Sequence, residues 1–169
     1  MYSLSASVVA LARWLNRIAL VACGLLMLAL TTVVLLQVLY RYVLELPLVW
    51  SDEAARHLLV WVSLIAGGIA VAQRLNPRIE LIDSLRAAPL RRVVEIIVLL
   101  LVLGFLAEFI VISFEVAKTY NAYRSLSLGL PQSVPRLALP VGACLMAINV
   151  LAQLLEKLRL TPSTRRDGA

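Results

Sequence analysis

Charge, histidine and cysteine are all scarce in this chain, and each shortage excludes a class of protein. Charged residues make up 15% of the sequence and apolar residues 62%, which excludes a soluble globular domain. The single histidine, His57, leaves no ligands for a bis-histidine haem or a histidine-rich metal site. Cys23 and Cys144 fall inside apolar stretches, which favours buried packing over a disulfide or a metal pair.

Linkers, repeats and catalytic motifs are missing as well. No Gly/Ser linker, internal repeat or low-complexity segment divides the sequence, so we predict a single membrane domain over residues 1–169. We find no Ser/His/Asp set, no Cys/His metal spacing and no phosphate-binding loop. We therefore predict no enzymatic activity and no cofactor. The net charge of +6 comes from Lys and Arg just outside the apolar stretches, which argues against nucleic-acid binding.

The chain does contain four apolar runs long enough to cross a bilayer, since about 20 apolar residues suffice. They predict an all-α integral membrane protein with four transmembrane helices at residues 18–40, 51–73, 93–114 and 137–155. The first run is too long for a signal-peptide core, so we expect it to stay in the mature protein. The third is expected to continue as helix toward Tyr123, and Pro140 lies near the start of the fourth or kinks it.

The two terminal segments and the connection between the second and third spans have distinct compositions. Residues 1–17 form a short amphipathic lead-in, and residues 159–169 form a polar tail. Between the second and third spans, Ile79, Ile82 and Leu85 recur at three-residue spacing. This spacing predicts a short amphipathic segment that lies along the membrane surface.

Lys and Arg are unevenly divided between the two ends of the predicted spans. The two terminal segments and the middle loop hold eleven of them, and the other two loops hold five. By the positive-inside rule, both termini are cytoplasmic. The connections at residues 42–50 and 125–136 are therefore predicted to face outward.

The start of the second span combines charged and aromatic residues. Ser51 is expected to cap the helix, and Asp52 and Glu53 then fall in the first turn, where the helix dipole favours negative charge. The spacing places Asp52 with Arg56, and Glu53 with His57, on shared faces. We call the following set the outer collar: Arg41, Trp50, Asp52, Glu53, Arg56 and Trp61. An ordinary helix cap with an interfacial tryptophan is the simpler interpretation.

Small and polar residues suggest where helices pack. Gly67 and Gly68, at the far end of the second span, would let another helix approach closely. Asn149 and Gln153 share a face of the fourth span, four residues apart.

Glu108 is the only ionisable residue well inside a predicted span. Such a residue is a functional candidate, because an unpaired charge in hydrocarbon is costly. It could couple protons or ions, pair with a cation such as Arg41 or Arg56, or meet a partner subunit. We favour the last two, a cation or a partner subunit, over ion coupling, since a lone carboxylate is a poor ion path. Glu115 on the same face, with Lys118 in reach, predicts an interfacial network.

Features of self-sufficient transporters are largely missing. Secondary transporters usually contain inverted repeats with helices broken at matching positions, and here only the fourth span has such a break. Small four-helix exporters depend on an acidic residue in the first span, but residues 18–40 contain none.

The order of these features resembles the small membrane subunit of tripartite ATP-independent periplasmic (TRAP) transporters over roughly residues 30–150. The resemblance is carried by LLQVLYRYVLELPLVWSDEAARHLLVWVSLIAGGIAVAQR, RIELIDSL and LSLGLPQSVPRLALPVGACLMAI. Its most specific residues are Arg41, Pro47, Trp50, Glu53, Arg56 and Trp61, followed by Gly129, Pro131, Pro140 and Gly142. The chain departs from the family pattern at Ala66, Arg78 and Asp83.

The resemblance implies a non-catalytic scaffold subunit of a sodium-coupled transporter in the bacterial inner membrane. A large multi-span subunit would carry the sodium and substrate sites, and a periplasmic binding protein would deliver a carboxylate-type solute. The outer collar would contact the large subunit, lipid headgroups or both, and Gly67, Gly68 and Glu108 complete the candidate interface residues. Two alternatives stay open: a stand-alone oligomeric transporter that uses Glu108 as coupling carboxylate, and a four-helix membrane assembly factor.

Overall fold

Four helices make up most of the part of the chain that the structure describes. The computed structural model describes residues 2–73, 88–125 and 127–159. The helices are α1 (Tyr2–Tyr42), α2 (Ser51–Ala72), α3 (Ala88–Thr119, followed by a 3-10 turn at Tyr120–Ala122) and α4 (Ser133–Arg159). All four are long and apolar enough to cross a membrane, which confirms the predicted all-α fold. The predicted surface segment at residues 79–85 and nearly all of the polar tail lie outside the described residues.

Helices α1, α3 and α4 extend beyond their predicted spans at both ends. Residues 2–17 are not a separate lead-in, because α1 runs through them without a break for 41 residues. No Gly or Pro occurs before Gly24 to interrupt it. A helix of this length measures about 60 Å, so part of it extends beyond the hydrocarbon region. The fourth helix begins at Ser133, with Pro135 tolerated in its first turn and Pro140 inside the helix.

The helices pack in the order α1, α2, α4, α3. The central pair α2 and α4 is flanked by α1 on one side and α3 on the other, and α1 meets α4 over a smaller area. Contacts at the helix ends show that each flanking helix runs antiparallel to its central neighbour, whereas α2 and α4 both begin at the same end and run parallel. The Gln37 amide near the end of α1 donates to Asp52 at the start of α2 (Nε2 to Oδ1, 2.6 Å). Arg92 at the start of α3 donates to the Lys157 carbonyl near the end of α4 (2.6 Å).

Gly67 and Gly68 allow α2 to approach α4. A Cβ atom on Gly68 would lie 2.6 Å from Leu145 Cδ2, and one on Gly67 would lie 2.6 Å from Met146 Cε. The predicted close helix approach is therefore correct. The helix that approaches them here is α4 of the same chain, and their part in a subunit interface stays a prediction.

A buried amide network joins three helices. Asn149 in α4 is 3% exposed, and its Nδ2 donates to Asn16 Oδ1 in α1 and to the Gly68 carbonyl in α2, at 3.0 Å each. Asn16 Nδ2 donates in return to Asn149 Oδ1 at 2.6 Å. Gln153, one turn later, donates to the Val71 carbonyl at 2.6 Å. The shared polar face of α4 thus stabilises the packing of α1 and α2 on it.

Replacing Asn149 with leucine is expected to destabilise the purified chain by about 1–2 kcal/mol, near the upper end for hydrogen bonds between membrane helices. The substitution removes all three bonds and leaves the Gly68 carbonyl without this donor. The measurement is thermal unfolding in mild detergent. Thr31→Val is the control, because the Thr31 hydroxyl is exposed and donates only to Met27 O in its own helix. Equal stability of the two variants would contradict a structural role for the network.

Candidate functional site

The candidate site lies at the predicted outer end, where α2 begins beside a turn that we call the outer hairpin (residues 123–125 and 127–132). Ser125 N donates to Leu130 O and Gln132 N donates to Tyr123 O, both at 2.8 Å. Gly129 allows the chain to reverse, because its φ of +65° is a conformation that side chains disfavour. The Gly and Pro signals of this segment thus mark a short antiparallel turn.

Glu53 fastens the outer hairpin to α2. The Ser127 amide donates to Glu53 Oε2 at 3.3 Å, and the Ser127 hydroxyl donates to the same oxygen. His57 Nε2 lies 3.9 Å from Glu53 Oε1, so the prediction that these two residues share a face of α2 is confirmed. Glu53 therefore connects the first turn of α2 to a residue 74 positions later in the chain.

Asp52 and Ser51 differ from their predicted roles. Asp52 accepts the hydrogen bond from Gln37, so it links α2 to α1, and no Asp52–Arg56 ion pair occurs among the described residues. Ser51 does not cap the helix. Its hydroxyl donates to the Leu48 carbonyl at 2.7 Å, and the residue is fully buried. The nearby carbonyl competes successfully for the hydroxyl proton.

Three collar residues keep exposed side chains. Trp50 is 38% exposed, and the Arg41 guanidinium lies 5.9 Å from the ring centroid of Tyr42. Arg56 is exposed, and within the described part of the chain it forms no hydrogen bond or ion pair. These positions leave charged and aromatic groups free to meet lipid headgroups or another protein.

Trp61 lies elsewhere. It is partly buried and packs on the cluster of Ala19, Ile65 and Ile69, where α1 meets α2. Three helical turns separate it from Trp50, and at that depth α1 covers its side of α2. Within this chain Trp61 thus has a packing role, and a contact of its exposed part with a partner or lipid stays a prediction.

Two clefts open at this end. We call the larger one, of about 720 Å³, the outer cleft. The smaller one has a volume of about 370 Å³, and Asp52 lines both. Charged and polar residues of α2, α4 and the outer hairpin line the outer cleft: Asp52, Glu53, Arg56, His57, Ser127 and Arg136. Charges of both signs on a concave surface are suited to binding a polar protein surface or lipid headgroups.

The sequence did not reveal the α4 side of the outer cleft. Arg136 lies 3.7 Å from the ring centroid of Tyr120 and donates to the Gln132 carbonyl at 2.8 Å. Its four-residue spacing from Gln132 was a usable signal, because both fall at the start of α4. The contact of Ser127 with Glu53 had no comparable sequence signal.

Glu108 lies outside the site, on an exposed face of α3. It forms no ion pair with Arg41 or Arg56, and no partner for its side chain occurs among the described residues. Lys118 lies over the Phe114 ring (4.8 Å to the centroid) and is not paired with Glu115. The predicted pairing of Glu108 inside the chain and the Glu115–Lys118 network are therefore wrong, because these side chains point away from the other helices.

The described residues contain no group of three or more His, Cys, Asp or Glu side chains placed to hold a metal ion. The contacts at the outer end instead hold two helices and a hairpin together. The outer cleft that they shape is suited to binding another protein or lipid headgroups.

Comparison with known proteins identifies the family to which this four-helix chain belongs. Residues 30–160 match the family described as tripartite ATP-independent periplasmic transporters, DctQ component. The sialic acid TRAP transporter small permease protein SiaQ of Vibrio cholerae is 26% identical over 80% of this chain and 78% of its own length.

Two longer relatives match as well. The isethionate TRAP transporter permease protein DctMQ of Oleidesulfovibrio alaskensis is 30% identical over 79% of this chain. The sialic acid TRAP transporter permease protein SiaT of Haemophilus influenzae is 29% identical over 64% of it. The chain spans only 22% and 17% of their lengths. It belongs to the DctQ component family of TRAP transporters and is a multi-pass small permease subunit of the inner membrane, not an enzyme.

Proposed function

We propose that this chain is a non-catalytic scaffold that supports a separate, large membrane subunit of a sodium-coupled TRAP transporter. One observation carries the proposal: the two flanking helices, α1 and α3, leave long apolar faces uncovered, and the outer end adds a charged cleft. A large partner can bind to an apolar helix face and to the charged cleft at the same time. The two longer permease relatives support this idea, since the region similar to our chain is only about a fifth of each.

The proposal also covers where the solute and the coupling ion bind. We place the sodium and substrate sites on the large subunit and delivery of the solute on a periplasmic binding protein. Sialic acid in the names of two relatives fits a carboxylate solute, whereas isethionate in the third is a different compound. The choice of solute is therefore expected to follow the binding protein.

The first test is purification of the tagged chain from its native membrane in mild detergent, followed by mass spectrometry. We expect one large, very apolar membrane protein at about one copy per copy of the chain. A homo-oligomer without such a companion would overturn the scaffold proposal.

The second test reconstitutes the purified complex in liposomes with the binding protein and a sodium gradient. Solute uptake is expected to need the gradient and both membrane subunits. Liposomes that contain this chain alone are the control, because flux there that is abolished by Glu108→Gln would favour the stand-alone transporter. Uptake by the large subunit alone at the full rate would contradict the scaffold role.

A further inference from the structure

One face of α3 points directly away from the rest of the chain. The opposite face packs on α4, where Leu106 is buried with Ala143 and Val150. We call the exposed set the α3 outer face, whose members follow one another at alternating spacings of four and three residues: Leu101, Phe105, Glu108, Ile112 and Glu115. Leu101 and Phe105 are 69% and 67% exposed. This spacing is the one by which two membrane helices pack along a continuous seam.

Glu108 lies near the middle of the membrane on this face. Along α3 it is about 20 Å from Glu95 and about 15 Å from Lys118, at 1.5 Å per residue, and the hydrocarbon core is about 30 Å thick. A carboxylate at that depth needs a partner, because lipid offers it neither charge nor hydrogen bonds. Its side chain has no partner among the described residues. The group that pairs with the Glu108 carboxylate must therefore come from outside the described residues.

The other flanking helix has a different surface. Leu25, Leu28 and Leu35 of α1 are 63%, 69% and 64% exposed. No Asp, Glu, Lys, Arg or His occurs from residue 18 to residue 40. The Thr31 and Thr32 hydroxyls donate to carbonyls of their own helix at 2.9 Å. This face of α1 is fully compatible with lipid.

We propose that the large subunit docks on the α3 outer face and places a cationic side chain opposite Glu108, while the corresponding face of α1 meets lipid. The inference rests on the proposed function and specifies which side of the chain forms the subunit interface. Gly104 lies beside the seam and faces open space, because a Cβ atom there would meet nothing within 4 Å. Its lack of a side chain would let a partner helix approach closely. The part of the large subunit that docks there is thus an apolar helix with one Lys or Arg at mid-membrane depth.

The first experiment locates the interface by photocrosslinking. A benzoylphenylalanine replaces Leu101 in one version of the tagged chain and Leu28 in another, in cells that contain the whole transporter. The two leucines are matched, at 69% exposure each. We expect a crosslink to the large subunit from position 101 and none from position 28. The reverse pattern, or crosslinks from both positions, would overturn the assignment of faces.

The second experiment tests the charge. We expect Glu108→Lys to reduce recovery of the large subunit with the tagged chain about tenfold or more, the scale for disrupting a buried charge pair. Glu108→Asp should retain most of it, and Glu108→Gln should lie between. Thermal stability of the isolated chain should be unchanged by Glu108→Gln, which separates loss of the interface from misfolding.

The two proposals fail in different ways. If the unmodified chain recovers no large subunit, the proposed function fails. If it recovers the large subunit and Glu108→Lys does so equally well, the scaffold role stands and the docking face is overturned.

Discussion

Replacing Gly142 with alanine is expected to lower the midpoint of thermal unfolding by roughly 4–8 °C, the shift that corresponds to about 2 kcal/mol in a chain of this size. A Cβ atom at Gly142 would lie 2.7 Å from Leu64 Cβ, 3.1 Å from the Leu64 carbonyl oxygen and 3.2 Å from the Leu64 carbonyl carbon. Two of these atoms belong to the backbone of α2, so they cannot move aside without displacing the helix. Overpacking costs about 1–3 kcal/mol or more, and the higher helix propensity of alanine offsets about 1 kcal/mol.

Two other glycines serve as matched controls, because the same change meets different surroundings. Gly67→Ala should cost less, since the atom in its way is the end of the flexible Met146 side chain. Gly104→Ala should be neutral or stabilising, because nothing lies within 4 Å of the new atom. The measurement is thermal unfolding of the three purified variants in the same detergent. Equal midpoints for Gly142→Ala and Gly104→Ala would show that α2 and α4 are not in close contact in the protein.

Local patterns in the sequence were sufficient to predict the helices. Hydropathy and span length gave four helices of the right type, since both depend on neighbouring residues alone. Gly67 and Gly68 correctly indicated a close helix contact. Their sequence context could not decide whether the neighbour was α4 or another subunit, because both would bring a helix against the same small residues.

Contacts between distant residues were the part that sequence reasoning missed. The bond of Glu53 to Ser127 depends on the register of the outer hairpin and on the packing of α2 beside it, and neither has a local signature. Trp61 was assigned to the outer collar, and its spacing of eleven residues, about three turns, does place it on the same side of α2 as Trp50. Which helix covers that side follows from tertiary packing with Ala19, which only the fold supplies.

Charge reversal at Glu53 is expected to reduce both recovery of the transporter complex and solute uptake by roughly tenfold, the effect of placing like charges together at an interface. Glu53→Lys removes the acceptor of both Ser127 hydrogen bonds. It also adds a cation to an outer cleft that already contains Arg56 and Arg136. The outer hairpin then loses its attachment to α2, and the charge of the cleft becomes strongly positive.

A matched variant separates this local effect from a change in net charge. Glu45 carries the same charge at the same end of the molecule, and it lines the smaller cleft without a hydrogen bond from its side chain to the described residues. Glu45→Lys should therefore retain most of the complex and most of the uptake. Glu53→Gln should resemble the unmodified chain, because its amide oxygen can still accept from Ser127.

Hydrogen exchange at the hairpin amides identifies the cause of a loss in Glu53→Lys. Faster exchange of the Ser127 amide is expected in this variant and not in Glu45→Lys, since only the first breaks the bond to α2. Arg56→Glu tests the opposite charge of the outer cleft and should weaken assembly without releasing the hairpin. Intact assembly and full uptake in both Glu53→Lys and Arg56→Glu would remove the outer collar from the interface, and the docking of the large subunit would then depend on the α3 outer face alone.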